Sequence, residues 1–521
     1  MKKRVNVLLL TFLLVVSLLQ CYAVTEKQRN KDILREAKSD DSSLALTTQQ
    51  YSNILGGSGA DEVAAFKFVE PDLVYIAGTT SSTDFPIING YQDTHAGNVD
   101  CFIMKFNIAT DTVMYSTYIG GSDEDILTDI VVDDDGNLYA TGFTESSDFP
   151  VVSAYKENYV NQEDIFLLKL NPTGEALLFS TYFGGDGSDK SYSIDIDTDG
   201  NVYIFGNGYA SDIPLVNPLD DERYFMEEGY FLKFNSTGNG LEFSSYFGGF
   251  DRDYAKSIFL DDDNNVYLIG STSSTDFPYL NGYDTSHNSA QDCFVVKVNS
   301  ALDEVIYSTY IGGQAADEPF EAIVDGSGRI YLTGYTISSD FPTVNAYDDE
   351  FGGGMDCFVC VLSTDGSSLE YSTYLGGSAV DIGLVLLYSN EVVYITGYTK
   401  SSDFPTTNGA ESSLSGEIDC FVSKLILSNN TLGYSTYVGG SGDDYGQGIA
   451  LDADQNILVV GHSDSEDFPV DAIHSGMSDC FLYEIPKPVA PPGIDIPLLL
   501  YVGVGVAGVV IITVVVYSRR R

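Results

Sequence analysis

Carboxylates supply most of the chemistry this chain could do. After each of seven Gly-Gly pairs comes an acidic cluster: Asp61-Glu62, Asp123-Glu124-Asp125, Asp186 with Asp189, Asp251 with Asp253, Asp317-Glu318, Asp381, and Asp443-Asp444. Oxygen donors grouped in this way suit a hard cation such as calcium. The residues that best fit a calcium role are Asp123, Asp125, Asp186, Asp189, Asp443 and Asp444. A second role is open for the same residues, since an aspartate in a turn also accepts hydrogen bonds from nearby backbone amides. "DDDGN" (133–137) and "DTDGN" (197–201) look like calcium loops but lack the downstream bidentate glutamate of an EF-hand, and read as hairpin turns.

Other chemistries are thinly represented. The four histidines, His95, His287, His462 and His474, include no metal-spaced pair, and there is no G-x-S-x-G or phosphate-binding glycine loop. No cofactor is implied, and no catalytic residue set emerges. A carboxylate pair could hydrolyse a glycosidic bond, but nothing selects two among 76 acidic residues. Of the seven cysteines, five recur at one position (101, 293, 357, 420, 480), with Cys360 three residues after one of them. Equivalent residues in neighbouring sheets stand about 10 Å apart, beyond the roughly 7 Å a disulfide tolerates, so buried free thiols are expected. Asn235-Ser-Thr and Asn429-Asn-Thr are N-glycosylation sequons in turns.

The elements that position these residues follow from a repeat. YSNILGG, YSTYIGG, FSTYFGG, FSSYFGG, YSTYIGG, YSTYLGG and YSTYVGG begin at residues 51, 115, 179, 243, 307, 371 and 434. The spacing is 64 residues and shortens once to 63. A fixed period of this kind marks stacked structural units. Each period also holds an apolar run into an Asp/Gly/Asn hairpin turn ("IVVDDDGNLYATG", 130–142), an "SSTDFP" exit, and a strand such as "DCFIMKF" (100–106). That makes four strands per unit. The strands are apolar on both sides, as in sheets sandwiched between neighbours.

Seven four-stranded sheets stacked around an axis make an all-β, seven-bladed β-propeller. A linear solenoid would need atypical capping repeats, and none is present. The phase of the repeat adds a prediction. The body opens with a lone "YSNILGG" strand and closes on "DCFLYEI" (479–485) with no such strand after it. Tyr51–Leu55 should therefore pair beside Asp479–Ile485 and close the ring.

These landmarks resemble the SBBP β-propeller repeat family of bacterial and archaeal surface proteins. The resemblance rests on "YSTYxGG", "DxxGNxY", "SSDFP" and "DCFxxKL" and covers Tyr51 to about Ile485. It implies a fold and a surface location, and supplies no catalytic residues. Copies depart from the pattern at Asp212-Ile213-Pro214, at Gly229-Tyr230-Phe231, and at "LLYSNEVVY" (386–394).

The ends suggest export and anchoring. Residues 1–23 read as a signal peptide cut after Ala23, with lipidation at Cys21 as a weaker alternative. Residues 24–50 form a polar linker, 51–486 the propeller, and 487–497 a Pro-rich spacer. Residues 498–517 are uncharged and apolar over 20 positions, enough for a transmembrane helix, with a basic tail at 518–521 on the cytoplasmic side. Spacer, apolar span and terminal arginines also resemble a sortase-like sorting signal, which would exchange the helix for another surface attachment.

The formal charge of −51 disfavours nucleic acid as a partner. The expected function is binding, adhesion or surface organisation, with protein or glycan ligands at the blade loops. The alternatives are an exported polysaccharide hydrolase or lyase using carboxylates at the channel mouth, and a purely structural surface-layer component.

Overall fold

The computed structural model describes residues 52–69, 72–160, 162–210, 212–224, 226–278, 281–288, 290–469, 477–487, 500–504 and 510–514. The chain divides into two compact units, Met1–Gln50 and Tyr51–Arg521. The first unit lies outside the described residues, and with it the signal peptide, Cys21 and the linker; so do most of the Pro-rich spacer, His474 and the basic tail.

In the second unit, alternating apolar runs and turn residues fold into seven antiparallel four-stranded sheets. From axis to rim the strands of each blade are named a to d. In blade 1 they are Asp61–Val69, Leu73–Thr80, Asp100–Asn107 and Thr112–Ile119. The a strands of blades 2 to 6 are Asp125–Val132, Asp189–Ile196, Asp253–Leu260, Asp317–Val324 and Asp381–Ser389. Blade 7 takes Asp444–Leu451, Ile457–Ser463 and Asp479–Ile485 from the end of the repeat and its d strand, Ser52–Leu55, from the start. Ser52 opposes Tyr483 and Leu55 opposes Cys480. The ring is closed, since the a strand of blade 1 contacts those of both blade 2 and blade 7.

Neighbouring blades share their apolar faces. Seven buried clusters fill the seven junctions: one joins Tyr75 and Ile103 to Leu138 and Phe166, and the last joins Val460 and Leu482 of blade 7 to Val74 and Phe102 of blade 1. This explains why strands b and c are apolar on both sides. The recurring cysteines sit in these junctions as buried free thiols, and Cys357 and Cys360 face different clusters.

The hairpin between a and b is built by its first aspartate. Asp133 accepts the Asn137 amide at 2.8 Å while Gly136 supplies a φ of +79°. Asp197, Asp261 and Asp452 hold Asn201, Asn265 and Asn456 in the same way. Blade 6 lacks that aspartate and turns instead on Asn390 and Glu391, both at positive φ, the signature of a tight type I′ hairpin. Strand a then carries a bulge in every blade, for example between Leu127 and Asp129, which re-aims the residues beyond it.

The stretch expected to be a transmembrane helix, 498–517, lies partly outside the described residues. Its described residues are two short antiparallel strands, Leu500–Val504 and Val510–Val514. No helix among the described residues is long and apolar enough to cross a membrane. Val and Ile dominate both halves with Gly503, Gly505 and Gly508 between them; β-branched residues favour paired strands.

Closure generates a first test. Removing residues 1–55 strips the d strand from blade 7 and bares the edge of Asp479–Ile485. The truncated chain is expected to unfold several degrees lower and to self-associate. Analytical ultracentrifugation showing a monomer with unchanged melting would count against closure.

Candidate functional site

The acidic residue that opens each a strand points into its blade and away from the channel. Asp125 accepts hydrogen bonds from the Gly121 amide at 2.7 Å, from Ser146 Oγ at 3.0 Å, and from Thr144 Oγ1. Asp61, Asp253, Asp381 and Asp444 repeat the arrangement with Gly57, Gly249, Gly377 and Gly440, and Asp317 with Gly313 and Ser338. Each aspartate therefore ties the turn leaving one blade to strand b of the next. Asp189 keeps the Gly185 amide at 2.8 Å, but Gly208 and Ala210 replace the two hydroxyl residues in blade 3.

The rest of the repeated motif serves the same junction. Tyr118 donates to the Ser82 carbonyl at 2.7 Å and accepts the Phe85 amide. Tyr115 packs under Gly174 of the next blade (φ +77°), where a Cβ would lie 2.3 Å from its ring. Asp148 of the "SSDFP" exit accepts the Ser122 amide and hydroxyl.

The six calcium candidates are thus divided. Asp125, Asp189 and Asp444 are buried in these hydrogen-bond sets. Asp123 and Asp186 are exposed on the turns and Asp443 is half-buried. The three pairs lie at three different blade junctions. No group of three or more His, Cys, Asp or Glu residues spaced for a metal occurs among the described residues. Of the sequons, Asn235 lies in the c–d turn of blade 3, its Nδ2 directed at Asn239 Oδ1, and Asn429 is exposed in the c–d turn of blade 6.

A second set of charges lies inside the ring. The a strands line an open channel of ≈ 1030 Å³. Lys67, Asp129, Asp195 and Glu321 project among its apolar and hydroxyl residues. Lys67 Nζ is 4.0 Å from Asp129, with 41% of its side chain open to the channel. The carboxylates also cross between blades. Asp129 accepts Ser193 Oγ and the Ile194 amide, both at 3.0 Å; Asp195 accepts the Leu260 amide at 2.8 Å; Glu321 accepts the Leu386 amide at 3.0 Å. Burial pushes Asp195 up to about 6 and Glu321 up to about 7, with Lys67 opposing both shifts. Sequence reasoning missed this set. The available signal was registration: these four interrupt strand positions held by small or apolar residues in most other copies.

A third feature stands on the outer surface where the Gly-Gly turns emerge. The residue after Gly-Gly is Ser58, Ser122, Asp186, Gln314, Ser378 or Ser441 in six blades and Phe250 in the remaining one. Phe250 is 69% exposed and meets Tyr224 edge-on at 5.8 Å. Tyr209, just past strand b of blade 3, is 51% exposed, its hydroxyl donating to Glu227 at 2.8 Å. Arg223 binds these segments together, donating to the carbonyls of Ala210 at 2.8 Å and Tyr209 at 2.6 Å. Arg223 and Arg252 are two of the three arginines between residues 51 and 486.

Seven radial four-stranded sheets closed on themselves define a seven-bladed β-propeller. Residues 115–150, 178–214, 242–278, 306–342 and 433–469 match the SBBP family, described as a β-propeller repeat. Five of the seven repeats thus carry the SBBP pattern. No curated protein matches the sequence. Among solved structures it is similar to the quinohemoprotein alcohol dehydrogenase of Comamonas testosteroni, with 8% identity, 88% of this chain and 78% of that chain covered, and a TM-score of 0.39. A second such dehydrogenase, from Pseudomonas putida, gives 9%, 85%, 78% and 0.39. A protein of unknown function from Dyadobacter fermentans gives 12%, 68%, 92% and 0.34. At these scores the structures carry no inference about this chain's chemistry.

Two measurements follow. Lys67→Met leaves three channel carboxylates without their cation. A loss of ~1–2 kcal/mol is expected at pH about 8, smaller than for a dry pair because water reaches the channel, and less at pH about 5, where Asp195 and Glu321 are protonated. Equal losses at both pH values in chemical denaturation would refute the channel coupling.

The second concerns the whole ring. Burial pushes Asp125, Asp189, Asp253, Asp317 and Asp444 up to about 6 from an ordinary 3.8. Between these values the native chain holds protons that the unfolded chain has released. Stability therefore falls as pH rises from about 4 to about 6, by up to ~3 kcal/mol per group. Asp84, Asp148, Asp403 and Asp467 are held low by their turn hydrogen bonds, so their contribution is lost only below about 4. Calorimetry is expected to place the highest melting temperature near pH about 4, with a decline by pH about 6; a maximum at neutral pH would contradict this.

Proposed function

We propose that this chain is an exported recognition propeller which holds a glycan or protein ligand on the aromatic platform of blades 3 and 4. The observation that carries the reading is Phe250, a large exposed ring where other blades place small or polar residues. Tyr224 meets it edge-on, Tyr209 is tied to the same loop through Arg223 and Glu227, and Arg223, Arg252 and Glu227 add charged hydrogen-bonding groups. Flat apolar surface with polar handles at its rim suits a sugar ring or an extended peptide.

Export rests on residues 1–23. Membrane attachment rests on residues 498–517, which in a bilayer satisfy their backbone groups as a helix, with the basic tail inside; sortase-like processing to a wall or surface attachment is the alternative. Asn235 and Asn429 are acceptors for glycosylation on an exported chain. In this reading the protein is not an enzyme, and nucleic acid is not a partner.

A second reading, hydrolysis or lysis of a polysaccharide, draws on the channel: Asp195 and Glu321 titrate near neutrality there, as a general acid must. Their hydrogen bonds to neighbouring blades favour a structural role. A purely structural role in a surface layer would leave the platform without a ligand.

The full-length chain in detergent, applied to a glycan array and to surface-protein fractions, separates these readings. Saturable binding that falls about tenfold or more in Phe250→Ala and Tyr209→Ala, with melting unchanged, is expected. Release of shortened products would replace binding with hydrolysis. Binding indifferent to both substitutions would remove the platform from the proposal.

A further inference from the structure

In four blades the loop between strands b and c carries a tyrosine two residues after an asparagine or serine: Tyr91, Tyr155, Tyr283 and Tyr347. The Tyr155 ring of blade 2 meets Phe234 of blade 3 edge-on at 5.7 Å, and Tyr347 packs on the apolar cluster between blades 5 and 6. Blade 3 reads Asn217-Pro218-Leu219, so a leucine stands in the tyrosine's place. The backbone there is unchanged. Asn217 has a φ of 50°, as do Ser153 and Asn345. The Asp220 amide reaches Ser245 Oγ at 2.9 Å, where the Lys156 amide of blade 2 reaches Thr181 Oγ1 at 2.8 Å. Blade 6 has Ala410 at this position, but blade 7 takes its strand d from the start of the chain and presents no c–d turn opposite it.

An open cleft of ≈ 540 Å³ lies where blade 3 lacks the ring, between that blade and the c–d turn of blade 4. This is the size of a small-ligand pocket. Leu219, Phe243 and Leu302 form its apolar floor. Leu302 is a second departure from the repeat. Gly174, Gly238 and Gly366 hold its place in blades 2, 3 and 5, each at positive φ against an aromatic ring of the blade before. Leu302 keeps the positive φ, +58°, yet carries a side chain there and is only 6% exposed. A leucine in this conformation is strained, and such strain gathers at ligand sites.

The rim is charged. In blades 2 and 4 the lysine of strand c closes on its hairpin aspartate, Lys169 with Asp133 at 3.1 Å and Lys297 with Asp261 at 3.0 Å. Lys233 of blade 3 stands 3.6 Å from Asp197 and 3.7 Å from Glu242, shared with a carboxylate of the cleft. Glu242 is half open to solvent and Asp303, on the facing turn, is exposed. The rim therefore offers two carboxylates against one ammonium, and Asp197 already engages that ammonium.

We propose that this cleft receives a tyrosine side chain from a basic partner segment. The ring lies on Leu219, Phe243 and Leu302, in the seat that blades 2 and 5 fill with Tyr155 and Tyr347, and flanking lysine or arginine residues face Glu242 and Asp303. Tyrosine is a rigid apolar body with one polar tip, for which Lys233 supplies a donor. Opposite charge at the rim steers the approach. A second copy of this chain is a poor occupant, because its formal charge is −51. The site stands apart from the aromatic platform: Glu242 and Phe243 lie near the start of strand d of blade 3, Leu241–Phe247, and Phe250 follows its far end.

Saturation-transfer NMR on the full-length chain in detergent tests this with three capped tripeptides, Lys-Tyr-Lys, Glu-Tyr-Glu and Lys-Ala-Lys. Saturable transfer to the ring protons of Lys-Tyr-Lys is expected, with little to either of the others. Leu219→Tyr returns to blade 3 the ring that other blades carry. It should melt at or above the wild-type temperature and weaken Lys-Tyr-Lys binding about tenfold or more. Glu242→Gln should weaken it about threefold, and Phe250→Ala should leave it unchanged. Wild-type binding by Leu219→Tyr overturns the proposal, as does equal binding of Lys-Tyr-Lys and Glu-Tyr-Glu. Loss in Phe250→Ala alone would move the peptide to the platform. A neutral oligosaccharide that binds in place of the peptides, and is lost in Leu219→Tyr, would assign the cleft to sugars instead.

Discussion

The ring depends on a buried aspartate at the head of each innermost strand. Its carboxylate receives the amide of the second glycine in the turn from the preceding blade and, in most copies, one hydroxyl from its own strand b and one from just beyond that strand. One side chain therefore fixes the angle at which one sheet hands over to the next. Burying a carboxylate is costly unless donors surround it, and here three do. The glycine before that amide must be glycine because two carboxylate oxygens occupy the space a side chain would need. Tyrosine, threonine and serine of the same motif fasten the long b–c connection to strand d. The motif recurs because every residue in it serves the joint between sheets.

Much of this architecture was legible from the sequence. The 64-residue period gave the number of blades, and the unmatched strands at either end gave the closure, because a repeat out of phase with its termini has one economical solution. The contacts that make the motif indispensable were not legible. Tyr118 meets the Ser82 carbonyl across 36 positions, and Asp148 meets Ser122 across 26; no local pattern reveals such pairs. The acidic turns suited calcium by residue type, whereas hydrogen bonds draw their buried members into the blades. Lys67, Asp129, Asp195 and Glu321 escaped notice because each breaks the pattern of a different blade. The apolar stretch near the end, rich in valine, isoleucine and glycine, suits either a membrane helix or paired strands; its length alone does not choose.

Departures from the repeat locate what is individual about this protein. Blade 3 loses both hydroxyls around Asp189, gains Phe250 and Tyr209 on its surface, and holds them with Arg223. Blade 5 exchanges the recurrent strand-c lysine for Val361 and compensates with Arg329, which pairs with Asp325 at 2.8 Å and lies over Tyr331. The same blade has no such compensation at its opposite end, where Asp348 and Asp356 stand without a basic neighbour from their loop. A scaffold this regular makes each exception readable, since six copies show what the seventh has given up.

The central claim is that buried aspartates lock the blade junctions, and native-state amide hydrogen exchange tests it most directly. The amides of Gly121, Gly249, Gly313, Gly377 and Gly440 lie in turns, outside every strand, yet donate to buried carboxylates. The account predicts protection close to that of the central strands, released only by global opening. Exchange at the rate of ordinary surface turns would show that these carboxylates fill space without holding the ring together.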